Sequence, residues 1–365
     1  MQFQTNHLQR FLLATMTIAG TVAIFNLAVD PLQIFHRNRF IPPRYSDDSR
    51  QQNAGLIQSE DFDTVFIGTS LGIHFRRKEI DEILGVKSVK LAMSGANSRE
   101  QSFVLEAALG KSGVKTVIWE SDYWTFRAAR EIDDNLYLPA NLYRRNIQGF
   151  ARYLFSLDTG RESVWQVLRE APLLNWIGLQ LTRMSYVKLH YENVDEIGVI
   201  PSYVDISTLY NADKAKAAYR LRGIDRSDLG TGYATLIRNF ERDVMALIAR
   251  HPDVQFVIYS PPYSILHFAA MRDFAPETME PFFRFSSYAT RRLLKFPNVR
   301  LHDFRAIAEV THDLTNYLDR IHHSPVIDVK ILHWLSRNEY CVEASDPDAA
   351  LRQLRNQVEE YSVPE

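Results

Sequence analysis

Thr64–Gly72 reads Thr-Val-Phe-Ile-Gly-Thr-Ser-Leu-Gly. A short β-branched and aromatic run that stops at a glycine predicts a strand buried on both faces, as parallel strands are. Ser70 falls just past the end of that strand, between Gly68 and Gly72. In open α/β sheets ligands bind outside the carboxyl ends of the strands. A serine in that place can face a cleft while its backbone N–H points at a developing oxyanion. The same letters also describe a plain turn with a helix N-cap, so the surroundings have to decide.

Outward from this stretch the pattern repeats. Lys78–Leu84 reads as a short helix, Lys87–Met93 as a second strand, Ser98–Leu109 as a helix and Lys115–Glu120 as a third strand. Strand alternating with helix predicts a parallel sheet covered by helices. From about Ala128 to Arg226 the strand period is lost. Helical spacing shows only in stretches such as Glu162–Arg169 and Ala212–Arg220. This segment is expected to be a helical insertion that can form a cap beside the site. The rhythm then resumes with a helix at Tyr233–Arg250, a strand at Val254–Ser260 and a helix at Pro281–Lys295. A strand at Asn298–Phe304 and a helix at Val326–Leu335 follow. The expected fold is α/β, a three-layer α/β/α sandwich on a parallel sheet of about five strands. Its two parts are 46–127 and 229–345, split by the insertion 128–228 and followed by a charged tail, 346–365, with a peripheral helix.

Ahead of this body, Phe11–Val29 carries no charged residue, and Asp30-Pro31 ends it abruptly. Its length nearly matches the ~20 residues a helix needs to cross a bilayer. No small-x-small cleavage site is evident. Residues 1–45 are therefore expected to be an uncleaved transmembrane helix and its tether, the alternative being a buried core helix. Arg10 precedes the segment while Arg37, Arg39 and Arg44 follow it, so the positive-inside count does not fix an orientation. The formal net charge of −2 gives no reason to expect nucleic acid as a partner. Cys341 is the one cysteine, which excludes an intramolecular disulfide but leaves the compartment open.

Two further segments can carry chemistry. Asp319-Arg320-Ile321-His322 sits in a polar loop just before the last helix. A serine needs a base, and a histidine needs a partner that fixes its tautomer and stabilises its cation. With His323 adjacent, either imidazole can be that base, and an Asx turn with a surface histidine fits the same letters. No further cluster shows ligand spacing, so no metal site is expected. Ser94-Gly95-Ala96-Asn97 follows the second strand, where Gly95 would let the backbone offer a second oxyanion donor. An ordinary turn with Ser94 or Asn97 as helix cap is the competing account. Tyr263, after Pro261-Pro262, can shape the pocket. Asp303 is expected to be a helix N-cap. Trp119, Tyr123, Trp124 and Phe126 suit either sugar stacking or core packing.

Taken together, Gly-x-Ser after the first strand, a glycine turn after the second and a late Asp-x-x-His resemble the SGNH (GDSL-like) hydrolase superfamily, whose fold is flavodoxin-like. The resemblance covers roughly Asp63–Trp124 and Tyr233–Leu335. The N-terminal anchor, Gly68-Thr69-Ser70 and Met93–Ala96 are similar to its membrane-bound branch, associated with O-acylation of cell-surface polysaccharides. The resemblance implies Ser70 as nucleophile, His322 as general base, Asp319 as its orienting acid, and Gly95 as an oxyanion donor. It implies no cofactor, a glycan substrate and an acyl-donor protein in the membrane. It also implies a single-pass protein of a bacterial inner membrane whose body faces the periplasm or exterior. Two departures stand out. Thr69 replaces the usual aspartate, and Glu120-Ser121-Asp122-Tyr123 holds no oxyanion asparagine, a place Asn97 can fill. Transfer of an acetyl or other acyl group to a sugar, hydrolysis by water, and an inert member of an exopolysaccharide machine are the three functions this leaves.

Overall fold

The computed structural model describes residues 2–37, 41, 45–46, 48–127, 138–144, 146–170, 190–191, 193–200, 204–221 and 232–364. Parts of the expected 128–228 insertion lie outside them. In chain order the strands are β1 (Thr64–Ile67), β2 (Ser88–Lys90), β3 (Thr116–Glu120), β4 (Gln255–Ser260) and β5 (Val299–Asp303). The first six helices used below are α1 (Gln2–Val29), α2 (Ser49–Ser59), α3 (Arg77–Leu84), α4 (Ser98–Leu109), α5 (Ile147–Leu154) and α6 (Leu157–Glu170). The other six are α7 (Ala212–Arg220), α8 (Tyr233–Phe240), α9 (Ile265–Phe274), α10 (Met279–Leu293), α11 (Pro325–Arg337) and α12 (Ala349–Glu360). The chain divides into two compact units, one of residues 1–60 and 132–197, the other of 61–131 and 198–365.

The second unit is an α/β/α sandwich. Its five strands run parallel in the order β2-β1-β3-β4-β5. Side chains alternate across a strand, so each strand feeds both layers. Phe66, Ile118, Val257 and Tyr259 pack beneath α3 and α11 with Ile80, Ile327 and Ile331. On the other face Trp119 donates its indole N–H to Gln101 of α4 at 2.7 Å. Coverage on both faces explains why β1 is buried at every position.

Local signals set the helix ends. Asn97 and Glu100 form a reciprocal capping box at α4. Gly85 closes α3 with φ +67°, a left-handed turn that glycine adopts without cost. A π-helical turn, Glu241–Met245, continues α8. The sequence reading passes over α9, whose ten residues are mostly buried and so lack a two-faced period. The charged tail folds as α12, which seats Leu351, Leu354 and Val358 in the core. No helix starts at Asp303. Its carboxylate instead takes two hydrogen bonds from the Arg305 guanidinium, at 2.8 and 2.6 Å, as a buried pair.

The first unit contains α1, whose stretch His7–Val29 is long and apolar enough to cross a membrane. Its carboxyl end is knotted rather than tethered loosely. Asp30 adopts φ +45°, and its carboxylate accepts the N–H groups of Ile34, Phe35 and His36 at 3.0, 2.7 and 2.8 Å. Tyr153 of α5 donates its hydroxyl to the same carboxylate at 2.9 Å. Asn26 donates to the Leu154 carbonyl at 2.8 Å. The short pair Tyr45–Ser46 and His190–Tyr191 adds an antiparallel clasp.

Gly55 of α2 touches the loop after α1 so closely that an added Cβ would lie 1.6 Å from the Leu32 carbonyl oxygen. Gly55→Ala is expected to destabilise this unit by at least ~1–3 kcal/mol. Limited proteolysis of the two proteins would register it, and equal cleavage rates would mean that the Leu32 peptide yields freely.

Candidate active site

Every element of the candidate site comes from the carboxyl end of the sheet. β1 ends at Ile67, and Ser70 opens a 3-10 turn, Ser70–Gly72. Beside it, the chain leaving β2 stays paired with the chain leaving β1, as Met93 N–H donates to the Gly68 carbonyl at 3.1 Å. The Gly95 turn therefore lies next to the serine turn. Gly95 has φ +61° and open space where a side chain would stand. A residue with a Cβ would be strained there by the backbone conformation alone.

The histidine arrives on a hairpin. Tyr317 and His323 bridge antiparallel, with Leu318 N–H donating to the His322 carbonyl at 2.9 Å. Tyr317 fixes the hairpin's base by burying its ring and donating its hydroxyl to the Pro262 carbonyl at 2.7 Å. At the tip, Asp319 Oδ1 accepts the N–H groups of Ile321 and His322 at 2.7 and 2.8 Å. Its other oxygen, Oδ2, lies 2.7 Å from His322 Nδ1. His322 Nε2 in turn lies 2.9 Å from Ser70 Oγ.

The structure thus brings Ser70, His322 and Asp319 into one hydrogen-bonded line. It also separates the two histidines. His323 turns inward to Asp328 of α11 at 3.1 Å, and both are buried. Burial of Asp319 would raise its pKa, but hydrogen bonding to His322 and the His322 charge outweigh it and hold the group at about 2. The carboxylate therefore stays charged at neutral pH, and it orients the tautomer that leaves Nε2 free to accept.

Asn97 and Tyr263 are placed differently from those three. Asn97 is the cap of α4, and its Oδ1 accepts Glu100 N–H at 2.9 Å. Its Nδ2 is buried with no hydrogen-bond partner. An unpaired buried donor costs roughly 1–3 kcal/mol, and such orphans call for a reason. Tyr263 is buried against His267, with ring centroids 4.9 Å apart. Its hydroxyl faces the Asp122 carboxylate, toward which it can donate. Burial pushes Asp122 up to about 6 and pulls His267 down to about 3. Trp119 and Phe126 belong to the core. Trp124 packs edge-on to His267 and carries the Arg127 guanidinium 4.1 Å above its ring.

Sequence reasoning gave no role to Glu120, which the structure places under the serine turn. Thr69, in the position before Ser70, donates its hydroxyl to Glu120 Oε1 at 2.6 Å and its N–H to Oε2 at 3.3 Å. A Cβ on Gly68 would meet Glu120 Oε2 at 2.6 Å, so glycine is required for this seat. Glu120 is fully buried, and burial raises its carboxyl to about 8. At neutral pH it is therefore chiefly a neutral acid. The available signal was a carboxylate closing a strand buried on both faces, where a charge would need a partner.

No family model and no curated protein matches the chain. Among solved structures it is similar to one described as "a putative platelet activating factor from Streptococcus pneumonia". The identity is 9%, 80% of this chain and 91% of that chain are covered, and the TM-score is 0.41.

Proposed function

We propose that this chain is a membrane-anchored serine esterase of the SGNH kind that works through an acyl-enzyme on Ser70. The observation that carries the reading is the continuous line Ser70 Oγ, His322 Nε2, His322 Nδ1, Asp319 Oδ2, with separations of 2.9 and 2.7 Å. His322 takes the hydroxyl proton as Ser70 Oγ bonds to the ester carbonyl carbon. The resulting oxyanion is met by backbone N–H groups at Ser70 and Gly95, with the free Nδ2 of Asn97 as a further donor. Collapse breaks the ester C–O bond, and His322 returns the proton to the departing alkoxide. A second hydroxyl then attacks the acyl-enzyme by the same proton route.

When that hydroxyl belongs to a sugar, the reaction is O-acyl transfer. We assign this use to the chain, with an acetyl or similar acyl group and a cell-surface polysaccharide as acceptor. The body would then stand on the outer side of a bacterial inner membrane, with a membrane protein delivering the acyl group. This finer reading rests on the sequence resemblance. Hydrolysis is the same chemistry with water as acceptor.

The test uses the full-length chain in detergent micelles with a fluorophosphonate probe and a chromogenic acetyl ester. Probe adduct is expected on Ser70, together with acetate release that the probe blocks. Adding an oligosaccharide should divert acetate into a sugar ester. A folded chain that ignores both the probe and the ester sinks the esterase reading.

A further inference from the structure

Beyond its spanning helix, the first unit carries exposed apolar side chains among its described residues. Leu157 is 91% exposed, Ile147 86%, Phe155 53% and Val164 45%. Single exposed apolar residues are ordinary on a protein surface. These four fall within α5, α6 and the corner joining them, and both helices pack on α1.

The corner has a definite height along α1. Leu154 accepts the Asn26 amide at 2.8 Å, and a Cβ on Gly160 would lie 3.8 Å from the same amide. Phe155–Leu157 is therefore held beside Asn26. From His7, where the apolar stretch begins, to Asn26 is about 30 Å at 1.5 Å per residue. That equals the thickness of a bilayer's hydrocarbon core.

Charge does not compete with this placement. Arg161 lies 3.5 Å from both Asp158 and Glu162, and Arg152 stands in the last turn of α5, so two cations face two carboxylates around the corner. An apolar, charge-balanced corner fixed at the exit of a spanning helix suits the boundary between headgroups and acyl chains.

We propose that the α5–α6 corner is a second membrane contact, in which Ile147, Phe155, Leu157 and Val164 enter the lipid beside the emerging α1. The proposal rests on α1 spanning the bilayer. The protein is thereby seated on the membrane by a collar as well as held by an anchor. Because the contact is apolar, it is indifferent to anionic lipid.

Spin labels at Leu157→Cys, Ile18→Cys and Glu359→Cys, each with Cys341→Ser, test this in the full chain. The chain is reconstituted at low density in phosphatidylcholine vesicles with and without one-fifth phosphatidylglycerol. Collision with oxygen and with a water-soluble nickel chelate reports depth. The label at 157 is expected about 5–10 Å below the headgroups, unchanged by phosphatidylglycerol, with 18 deeper and 359 in water. A label at 157 as open to nickel as 359, while 18 is deep, overturns the collar and leaves the span intact. One shielded from both reagents is covered by protein, a second copy included, and overturns it too. If 18 is also in water, the span itself fails and the collar with it.

Discussion

Ser70→Ala is expected to lower kcat/KM for an acetyl ester by about 10⁴-fold or more, while the fold is kept. The magnitude follows from losing the atom proposed to bond the acyl group, because binding and oxyanion donors alone leave a small residual rate. His322→Ala should cost a similar factor. Ser70→Ala combined with His322→Ala should be no worse than either alone, since a base without a nucleophile does nothing. Asp319→Asn is the more informative change and is expected to cost about 10³–10⁴-fold. The asparagine oxygen would keep the two N–H groups that Asp319 Oδ1 now accepts. Its NH₂ would then face His322 Nδ1 and force the proton onto Nε2, which could no longer accept from Ser70. Steady-state rates across these four variants decide the matter. Independent, multiplying losses would contradict a single proton relay, and undiminished turnover in Ser70→Ala would remove Ser70 from the chemistry.

The second large effect concerns stability. Glu120 has an ordinary pKa of 4.5 and is raised to about 8 in the fold, first of all by burial. The unfolded chain therefore releases this proton near pH 4.5, while the folded chain holds it until near 8. Stability is fully present below 4.5 and falls by about 1.4 kcal/mol per pH unit as pH rises to the folded value. Glu120→Gln keeps a donor and an acceptor for Thr69 and cannot ionise. The two proteins should be about equally stable at pH 4.5. By pH 7 the glutamine variant should be ahead by about 3 kcal/mol. Urea unfolding at both pH values measures the difference, and a gap that does not change with pH would mean that Glu120 is not held neutral.

How much of this was legible in the sequence varied with the physics. The sheet was readable because a strand covered on both faces must be apolar throughout, as Thr64–Ile67 and Thr116–Glu120 largely are. Helix α9 was not, because a helix buried nearly all round has no polar face to mark its period. Ser70, Asp319 and His322 could be named only through the order of motifs. Their meeting depends on the strand order, which sets β1 one strand in from the edge and leaves its carboxyl end open to the hairpin before α11. The knot at Asp30 was hidden because its partners are backbone N–H groups and Tyr153, 123 residues away. The role of Glu120 was hidden for a related reason. Whether a carboxyl at a strand end is a surface charge or a buried acid depends on what lies above it, here the Gly68–Thr69 turn.

Ser70 and His322 are separated by 252 residues, and that distance bears on when the protein becomes active. Ribosomes deliver Ser70 well before His322, and the hairpin carrying His322 is seated on Pro262 and followed by α11 and α12. Under the proposed relay, a chain made only as far as the sheet holds Ser70 with no base to take its proton. On that proposal the serine becomes reactive only when the His322 hairpin has been made and docked. The topology would then act as a built-in delay, holding nascent copies unreactive until the histidine hairpin is in place.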